Sequence, residues 1–259
     1  MLFSSPLATV PAPAAASTAP AWVKDRLAYF ADPRFTFDPE PHEYRLGDRL
    51  MTSCTTWLKD YKQPFDAAGI ARSLSLRRGC TDQEILAEWE HAGWVGTKMH
   101  EYIEDHYNGR DNSLPKHPDV ALRCEKFLAF KAARLLNYEP VGQEIRLFHE
   151  PSGLCGTLDF LTWHPGVEQL YIFDWKSSKK IGTDQDSQYR KMYGPFADLW
   201  DHELNVYSLQ ISLYRLMLEA QFIPTAGGAI VWLPGGETMP KIIPAIDFRD
   251  RLRDLLLLK

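Results

Sequence analysis

The chain has 259 residues, 45% of them hydrophobic and 24% charged, which is the composition of a globular protein that can bury a full core. It has no long apolar run. The first 23 residues carry no charge but are interrupted by prolines and lack a basic start, so we predict neither a transmembrane helix nor a signal peptide. The net charge of −5 argues mildly against non-specific nucleic-acid binding, although a local basic surface is enough for phosphate contacts.

The four cysteines indicate neither a metal site nor a disulfide scaffold. They are Cys54, Cys80, Cys124 and Cys155, which lie far apart and form no C-x-x-C pair. That spacing is not that of a zinc knuckle or an iron–sulfur cage, and the count is too low for a disulfide-rich domain. We therefore predict reduced thiols, no zinc, no iron–sulfur cluster and a cytoplasmic location.

The first half of the chain divides into a leader, a strand region and a helical region. Residues 1–21 consist largely of Ala, Pro, Ser and Thr, which predicts a disordered leader before one domain at 22–259. Residues 35–56 have the turn signals of short strands. A helical region follows over about 57–137.

Two helices are predicted within that region. Thr81 and Glu84 form a capping-box signature that opens an amphipathic helix extending through Ile103, weakened by Gly93 and Gly96. A second helix is predicted over 119–136 from its apolar spacing.

From residue 141 onward the pattern changes to that of strands. Residues 144–149, 156–163 and 169–176 alternate in polarity and are joined by short turns, which predicts an antiparallel meander. The elements predicted after it are a helix over 199–221, strands over 229–233 and 241–246, and a closing helix over 248–258. This order is typical of an α/β (α+β) protein with a central mixed sheet flanked by helices.

The meander carries the residues with the clearest chemistry. Asp174 and Lys176 share one face of a strand because side chains alternate, and a hairpin would bring Asp159 beside Asp174. Carboxylate oxygens are hard ligands that suit Mg²⁺ or Mn²⁺, and a nearby lysine can orient the attacking water in phosphodiester hydrolysis. An isolated D-x-K pair, however, is more often an exposed salt bridge of little consequence.

Further short motifs accompany this pair in a fixed order. They are G-T-K-M-H ending at His100, Q-E-I-R-L-F containing Glu144, G-T-L-D ending at Asp159, D-W-K from Asp174 to Lys176, and Q-x-x-x-Y from Gln210 to Tyr214. Together they resemble the RecB-type branch of the PD-(D/E)XK nuclease superfamily, which includes phage exonucleases and the mitochondrial genome-maintenance exonuclease. The resemblance covers about 96–218.

The resemblance implies a restriction-endonuclease-like fold, with a helical wall at about 57–137 and a catalytic core at about 141–259. It implies a Mg²⁺- or Mn²⁺-dependent DNA exonuclease of recombination, repair or phage replication. The metal ligands that it implies are Asp159, Asp174, His100 and the backbone carbonyl of Trp175. Lys176 would position or activate the water, Glu144 would complete the coordination shell, and Gln210 with Tyr214 would support the site or meet DNA.

Each auxiliary residue also has a purely structural interpretation. Tyr214 could be a half-buried core residue and His100 a satisfied surface histidine. Glu144 could belong to a solvated strand face. These alternatives stay open at the level of sequence.

Candidate DNA contacts surround the central motifs. The basic and hydroxyl side chains are Arg72, Arg77, Arg78, Ser177, Ser178, Lys179, Lys180, Arg190 and Lys191. Trp94, Tyr102 and Tyr107 are candidates for stacking on unpaired bases, although core packing is the more common role of such residues. The apolar residues 252–258 could join copies of the chain or pack on its own core, and a recombination protein is a further candidate partner.

Two other functions are compatible with parts of the pattern. A non-catalytic nucleic-acid-binding module could share the fold, but it would be expected to lose Asp159, Asp174 or Lys176. A nuclease with an iron–sulfur cluster requires a C-terminal cysteine cluster, and no cysteine follows Cys155.

Overall fold

The computed structural model describes residues 17–41, 43–110, 113–183 and 190–257. Within these residues the chain forms seven α-helices, two short 3-10 helices and eight strands. In chain order the elements are α1 (Ala21–Leu27), a 3-10 helix (Ala28–Ala31), β1 (Phe35–Asp38), β2 (Glu43–Leu46), β3 (Arg49–Ser53), α2 (Cys54–Lys59), α3 (Ala67–Arg78), α4 (Asp82–Tyr107), α5 (Pro118–Arg134), β4 (Glu139–His149), β5 (Leu154–His164), β6 (Gln169–Lys176), a 3-10 helix (Gly194–Phe196), α6 (Glu203–Ala220), β7 (Gly227–Trp232), β8 (Lys241–Pro244) and α7 (Arg249–Leu257).

The eight strands form one mixed sheet. Its order is β1-β2-β3-β5-β6-β7-β8, and β4 also pairs with β5. Strands β4, β5 and β6 make the predicted antiparallel meander. Helix α6 lies in the connection from β6 to β7, and strand β7 runs parallel to strand β6. The prediction of a mixed α/β protein built on a mixed sheet is confirmed.

Helices cover the sheet on both faces, and β6 shows how the faces are divided. Phe173 and Trp175 belong to an apolar cluster with residues of α4 and α5. Ile172 belongs to a second cluster with residues of α2, α6 and α7. Because side chains alternate along a strand, Asp174 and Lys176 lie on the α6 face, as the sequence predicts.

The boundaries near the N-terminus differ from the prediction. The leader was expected to extend to residue 21, but the Thr18 backbone N–H donates to Glu139 Oε2 at 2.6 Å, and α1 begins at Ala21. Residues 1–16 of the predicted leader lie outside the described residues. The strand region was expected to reach residue 56, but helix α2 begins at Cys54 because the Ser53 hydroxyl caps the Thr56 N–H at 3.1 Å.

Strand β4 is longer than predicted. It begins at Glu139, five residues before the predicted start at Glu144. The register against β5 shifts between Pro140 and Gly142, so this part of the strand lacks the regular alternation that sequence analysis depends on.

Helix α4 begins at the predicted capping box. The Thr81 hydroxyl accepts from the Glu84 N–H at 3.2 Å, and the Glu84 carboxylate accepts from the Thr81 N–H at 2.7 Å. The helix continues for 26 residues in spite of Gly93 and Gly96. A Cβ on Gly93 would have no neighbour within 4 Å, whereas one on Gly96 would lie 3.0 Å from Ser177 Oγ. Gly96 therefore allows α4 to pass close to the segment that follows β6.

The structure shows the state of the cysteines and the length and hydrophobicity of the helices, two features that composition was used to predict. All four cysteines are free thiols. None of the helices in the described part of the chain is both long and apolar enough to cross a membrane.

Replacing the two α4 glycines separates helix propensity from packing. Gly93→Ala is expected to raise the free energy of unfolding by about 0.5–1 kcal/mol, because alanine loses less backbone entropy than glycine in a helix. Gly96→Ala is the matched control and should gain less, since its Cβ would press on Ser177. Urea unfolding of both variants measures the difference. Equal gains at the two positions would contradict the close approach of α4 to Ser177.

Candidate metal centre

The site forms where strands β5 and β6 stop pairing. Their register extends from His164–Gln169 to Phe160–Phe173. Just beyond it, the Trp175 N–H donates to Asp159 Oδ2 at 2.8 Å. The Asp159 side chain thus supplies the acceptor that a neighbouring strand would otherwise provide, which fixes this carboxylate at the end of the ladder.

His100 of α4 joins the three strands of the meander. Its Nε2 lies 3.0 Å from the carbonyl oxygen of Trp175, and its Nδ1 lies 3.4 Å from Glu144 Oε1 and 3.8 Å from Asp159 Oδ2. His100, Glu144 and Asp159 each offer one ligand atom, and these three atoms lie within 4.8 Å of one another. The structure therefore brings together three residues that are far apart in the sequence.

The charges around His100 favour a cation. Burial alone would lower the pKa of its imidazole, but the carboxylates of Asp159 and Glu144 more than offset that effect and raise the pKa to about 8. The same negative surroundings that hold a proton on His100 would attract a metal cation.

Glu144 has an unusual backbone conformation. Its φ is +46°, in the left-handed region, although it lies in the middle of β4. A non-glycine residue in such a conformation costs about 1–3 kcal/mol, and strain of this kind is concentrated at functional sites. The strain occurs at the one residue of β4 whose carboxylate contacts His100.

Asp174 is a buried carboxylate that has a single partner within the described part of the chain. The residue is 2% exposed, and its Oδ2 lies 2.5 Å from Lys176 Nζ. Apart from this ion pair, neither carboxylate oxygen has a hydrogen-bond partner among the described residues. Burial raises the pKa of Asp174, and the ammonium of Lys176 partly offsets the rise.

Lys176 is held as an ammonium beside an aromatic ring. Burial alone would lower its pKa, but Asp174 and Asp159 outweigh this and raise it above its ordinary value. Its Nζ lies 4.9 Å from the centre of the Tyr207 ring. Tyr207 was missed in the sequence, although it lies three residues before Gln210 and so shares its face of α6.

Gln210 and Tyr214 of α6 are buried in the core against β5. They are 8% and 3% exposed, and the Gln210 side-chain amide donates to the Tyr214 hydroxyl at 2.8 Å. A Cβ on Gly156 would lie 2.7 Å from the Tyr214 ring, so this glycine allows the ring to sit directly on β5. The glycine of G-x-x-D and the tyrosine of Q-x-x-x-Y are thus two sides of one contact, and a direct DNA contact by the buried Tyr214 ring is not supported.

The basic residues expected to contact DNA lie in different surroundings. Arg78 and Lys179 both form ion pairs with Glu88 of α4. Lys191 donates to the Asp198 carbonyl oxygen at 2.6 Å and lies over the Trp200 ring. The other basic candidates, all exposed, are Arg72, Arg77, Lys180 and Arg190.

The serines and aromatic residues are more buried than expected for direct contacts. Ser177 is partly buried beside Gly96, and the Ser178 carbonyl accepts from the Trp232 indole at 2.7 Å. Tyr102 and Tyr107 are 5% and 9% exposed and belong to the α4–α5 core, which agrees with core packing, the role that the sequence favours for them over base stacking. Trp94 is 42% exposed and stays a candidate.

Comparison with known proteins does not assign the chain to a family. No protein-family model matches the chain, and no curated protein matches it.

The contact between Gly156 and Tyr214 can be tested by substitution. Gly156→Ala is expected to lower the free energy of unfolding by about 1–3 kcal/mol, because a buried ring must move to admit the new methyl group. In a Tyr214→Leu background the same change should cost less. Urea unfolding of the four proteins gives the coupling energy between the two positions. Equal costs in the two backgrounds would show that the ring is not the obstacle.

Proposed function

We propose that the protein is a divalent-metal-dependent DNA nuclease of the PD-(D/E)XK kind, with a restriction-endonuclease-like fold of the RecB-type branch. The observation that carries the proposal is the buried Asp174 carboxylate, whose only partner among the described residues is Lys176. It lies on β6 two residues before that lysine, and Asp159 is fixed to the intervening Trp175. These residues belong to the D-x-K and G-x-x-D motifs through which the sequence resembles that family.

The residues present fit a hard divalent cation. A buried carboxylate that has only one ion-pair partner among the described residues is costly, and an ion or ordered water is a usual further partner for such a group. The donors that would hold the cation are Asp159, Asp174, Glu144, the Trp175 carbonyl oxygen and His100. Most of these are oxygen atoms, which Mg²⁺ and Mn²⁺ prefer.

Each residue then has a defined part in hydrolysis. The cation would polarise the scissile phosphate and lower the pKa of a water molecule. Asp159 and His100 keep the Trp175 backbone in place through its N–H and C=O. Lys176, an ammonium close to Asp174, orients the attacking water and stabilises the negative charge that develops on the phosphate.

An open cleft borders the site and could admit part of a substrate. Its volume is about 510 Å³, and its lining includes Glu144, Arg146, Phe37 and Thr157. This volume lies in the range of about 300–1,000 Å³ that is typical of ligand sites. Glu144 is the one proposed metal ligand in this lining, so the cleft reaches the site at that residue. The resemblance favours digestion from DNA ends in recombination, repair or phage replication.

Nuclease activity is tested on end-labelled linear DNA, single- and double-stranded, with Mg²⁺, Mn²⁺ or EDTA. Asp174→Ala and Lys176→Ala are each expected to reduce the rate by at least about 10²-fold, since each removes a group that stabilises charge in the transition state. Asp250→Ala and Lys241→Ala, which remove exposed charges elsewhere, are matched controls and should retain activity.

A double variant separates loss of chemistry from loss of folding. Asp174→Leu/Lys176→Met replaces the ion pair by apolar groups, an exchange that is often neutral or stabilising in a buried site. It should fold, as judged by circular dichroism and urea unfolding, and be inactive. Wild-type protein that binds DNA but cleaves neither substrate with either metal would overturn the proposal and favour a non-catalytic binding module.

A further inference from the structure

A second group of metal-binding side chains lies between helices α4 and α5. His91 comes from α4, His117 is the N-cap residue of α5, and Asp119 lies in its first turn. Each offers one ligand atom, and the three atoms lie within 4.8 Å of one another. His91 Nε2 and Asp119 Oδ2 are 3.0 Å apart, and the two imidazole rings have centroids 5.1 Å apart.

We propose that His91, His117 and Asp119 form a binding site for Zn²⁺ that joins α4 to α5. Two imidazoles and one carboxylate suit zinc, whereas Mg²⁺ and Ca²⁺ prefer sites made of oxygen atoms. The cysteine spacing had predicted no zinc, but this group contains no cysteine. It also shares no residue with the proposed nuclease centre, so the inference does not depend on that function.

The distances require only small movements. In a tetrahedral zinc site with bonds of about 2.0–2.1 Å, neighbouring ligand atoms are about 3.3–3.4 Å apart. The His91–Asp119 pair is already closer than this, and the widest separation in the group has to shrink by no more than about 1.5 Å. The side chains of His91 and Asp119 are 44% and 54% exposed, so they have room to adjust.

Two further observations support a ligand at this position. The Nδ1 atom of His117 is buried and has no hydrogen-bond partner among the described residues, which is costly for an imidazole nitrogen. The Trp94 ring packs near both histidines, with its centroid 5.8 Å from that of His91 and 5.0 Å from that of His117. Contacts with an aromatic ring on one side restrict the rotation of both imidazoles and so reduce the entropy that metal binding would cost.

Three protein ligands leave a fourth position for water. Because His91 and Asp119 are solvent-exposed, this position is open to solvent. The ion would link the middle of α4 to the start of α5 and would add to the apolar packing that already joins these two helices. An open site of this kind differs from the closed four-ligand sites of structural zinc, so the role that we assign to the ion follows from its position alone: it links the two helices of the wall.

Calorimetric titration with ZnCl₂ tests the site. The protein used is the full chain carrying His100→Ala and Asp159→Asn, which remove two ligands of the first cluster. We expect one Zn²⁺ per chain at this site and no comparable binding of Mg²⁺. Adding Asp119→Asn should weaken zinc binding by about 10-fold or more, because an amide is a poorer ligand than a carboxylate. Its oxygen can still accept a hydrogen bond from His91, so the fold is preserved.

Further variants make the result decisive. Adding His91→Ala or His117→Gln instead should abolish the binding, whereas Glu90→Gln, which neutralises the exposed neighbour of His91, should leave it unchanged. Excess Zn²⁺ should raise the melting temperature of the His100→Ala/Asp159→Asn protein, raise that of its Asp119→Asn derivative by less, and leave that of its His117→Gln derivative unchanged. Absence of zinc binding in the starting protein, or equal affinity in the His117→Gln derivative, would overturn the proposal. If His91→Ala does not fold, Asp119→Asn and His117→Gln decide the outcome.

Discussion

The backbone of Trp175 has to be satisfied where strand β5 no longer pairs with β6, and the candidate metal centre is built around that requirement. The Trp175 N–H donates to Asp159, and its carbonyl oxygen lies within hydrogen-bond distance of His100. Two side chains thus take the place of a missing strand partner. Because an unpaired buried backbone group costs about as much as a lost hydrogen bond, this arrangement fixes both side chains before any ligand is present. A carbonyl oxygen has two lone pairs, so that of Trp175 can accept from His100 and still serve as a ligand.

The stability of this arrangement comes from the packing around it. Trp175 is 1% exposed and packs against Phe127 of α5 and Phe160 of β5. On the opposite face, Tyr214 packs on Gly156. This packing has to outweigh the strained backbone of Glu144 and the burial of Asp174, both of which are unfavourable. Unfavourable local features held in place by a well-packed core are typical of sites selected for function rather than for stability.

Sequence patterns predicted what depends on neighbouring residues and missed what depends on distant ones. The capping box at Thr81 and the alternation that places Asp174 and Lys176 on one face are local rules, and both are confirmed. The contact of Thr18 with Glu139 joins residues 121 positions apart, and no periodicity encodes it. The left-handed conformation of Glu144 has no sequence signal either, since the residue is not a glycine.

Helix α4 contributes a histidine to each of the two clusters. His91 and His100 are nine residues apart in one helix, which corresponds to two and a half turns and a separation of about 13 Å along the axis. They therefore lie on opposite faces, one towards α5 and the other towards the sheet. The donors differ as well: oxygen atoms predominate around His100, whereas two of the three donors around His91 are imidazole nitrogens. By this difference in donors, the cluster around His100 would prefer a hard cation such as Mg²⁺, and the cluster around His91 would prefer Zn²⁺. A metal ion at His91 would hold α4 against α5, and that helix also determines where His100 meets the sheet.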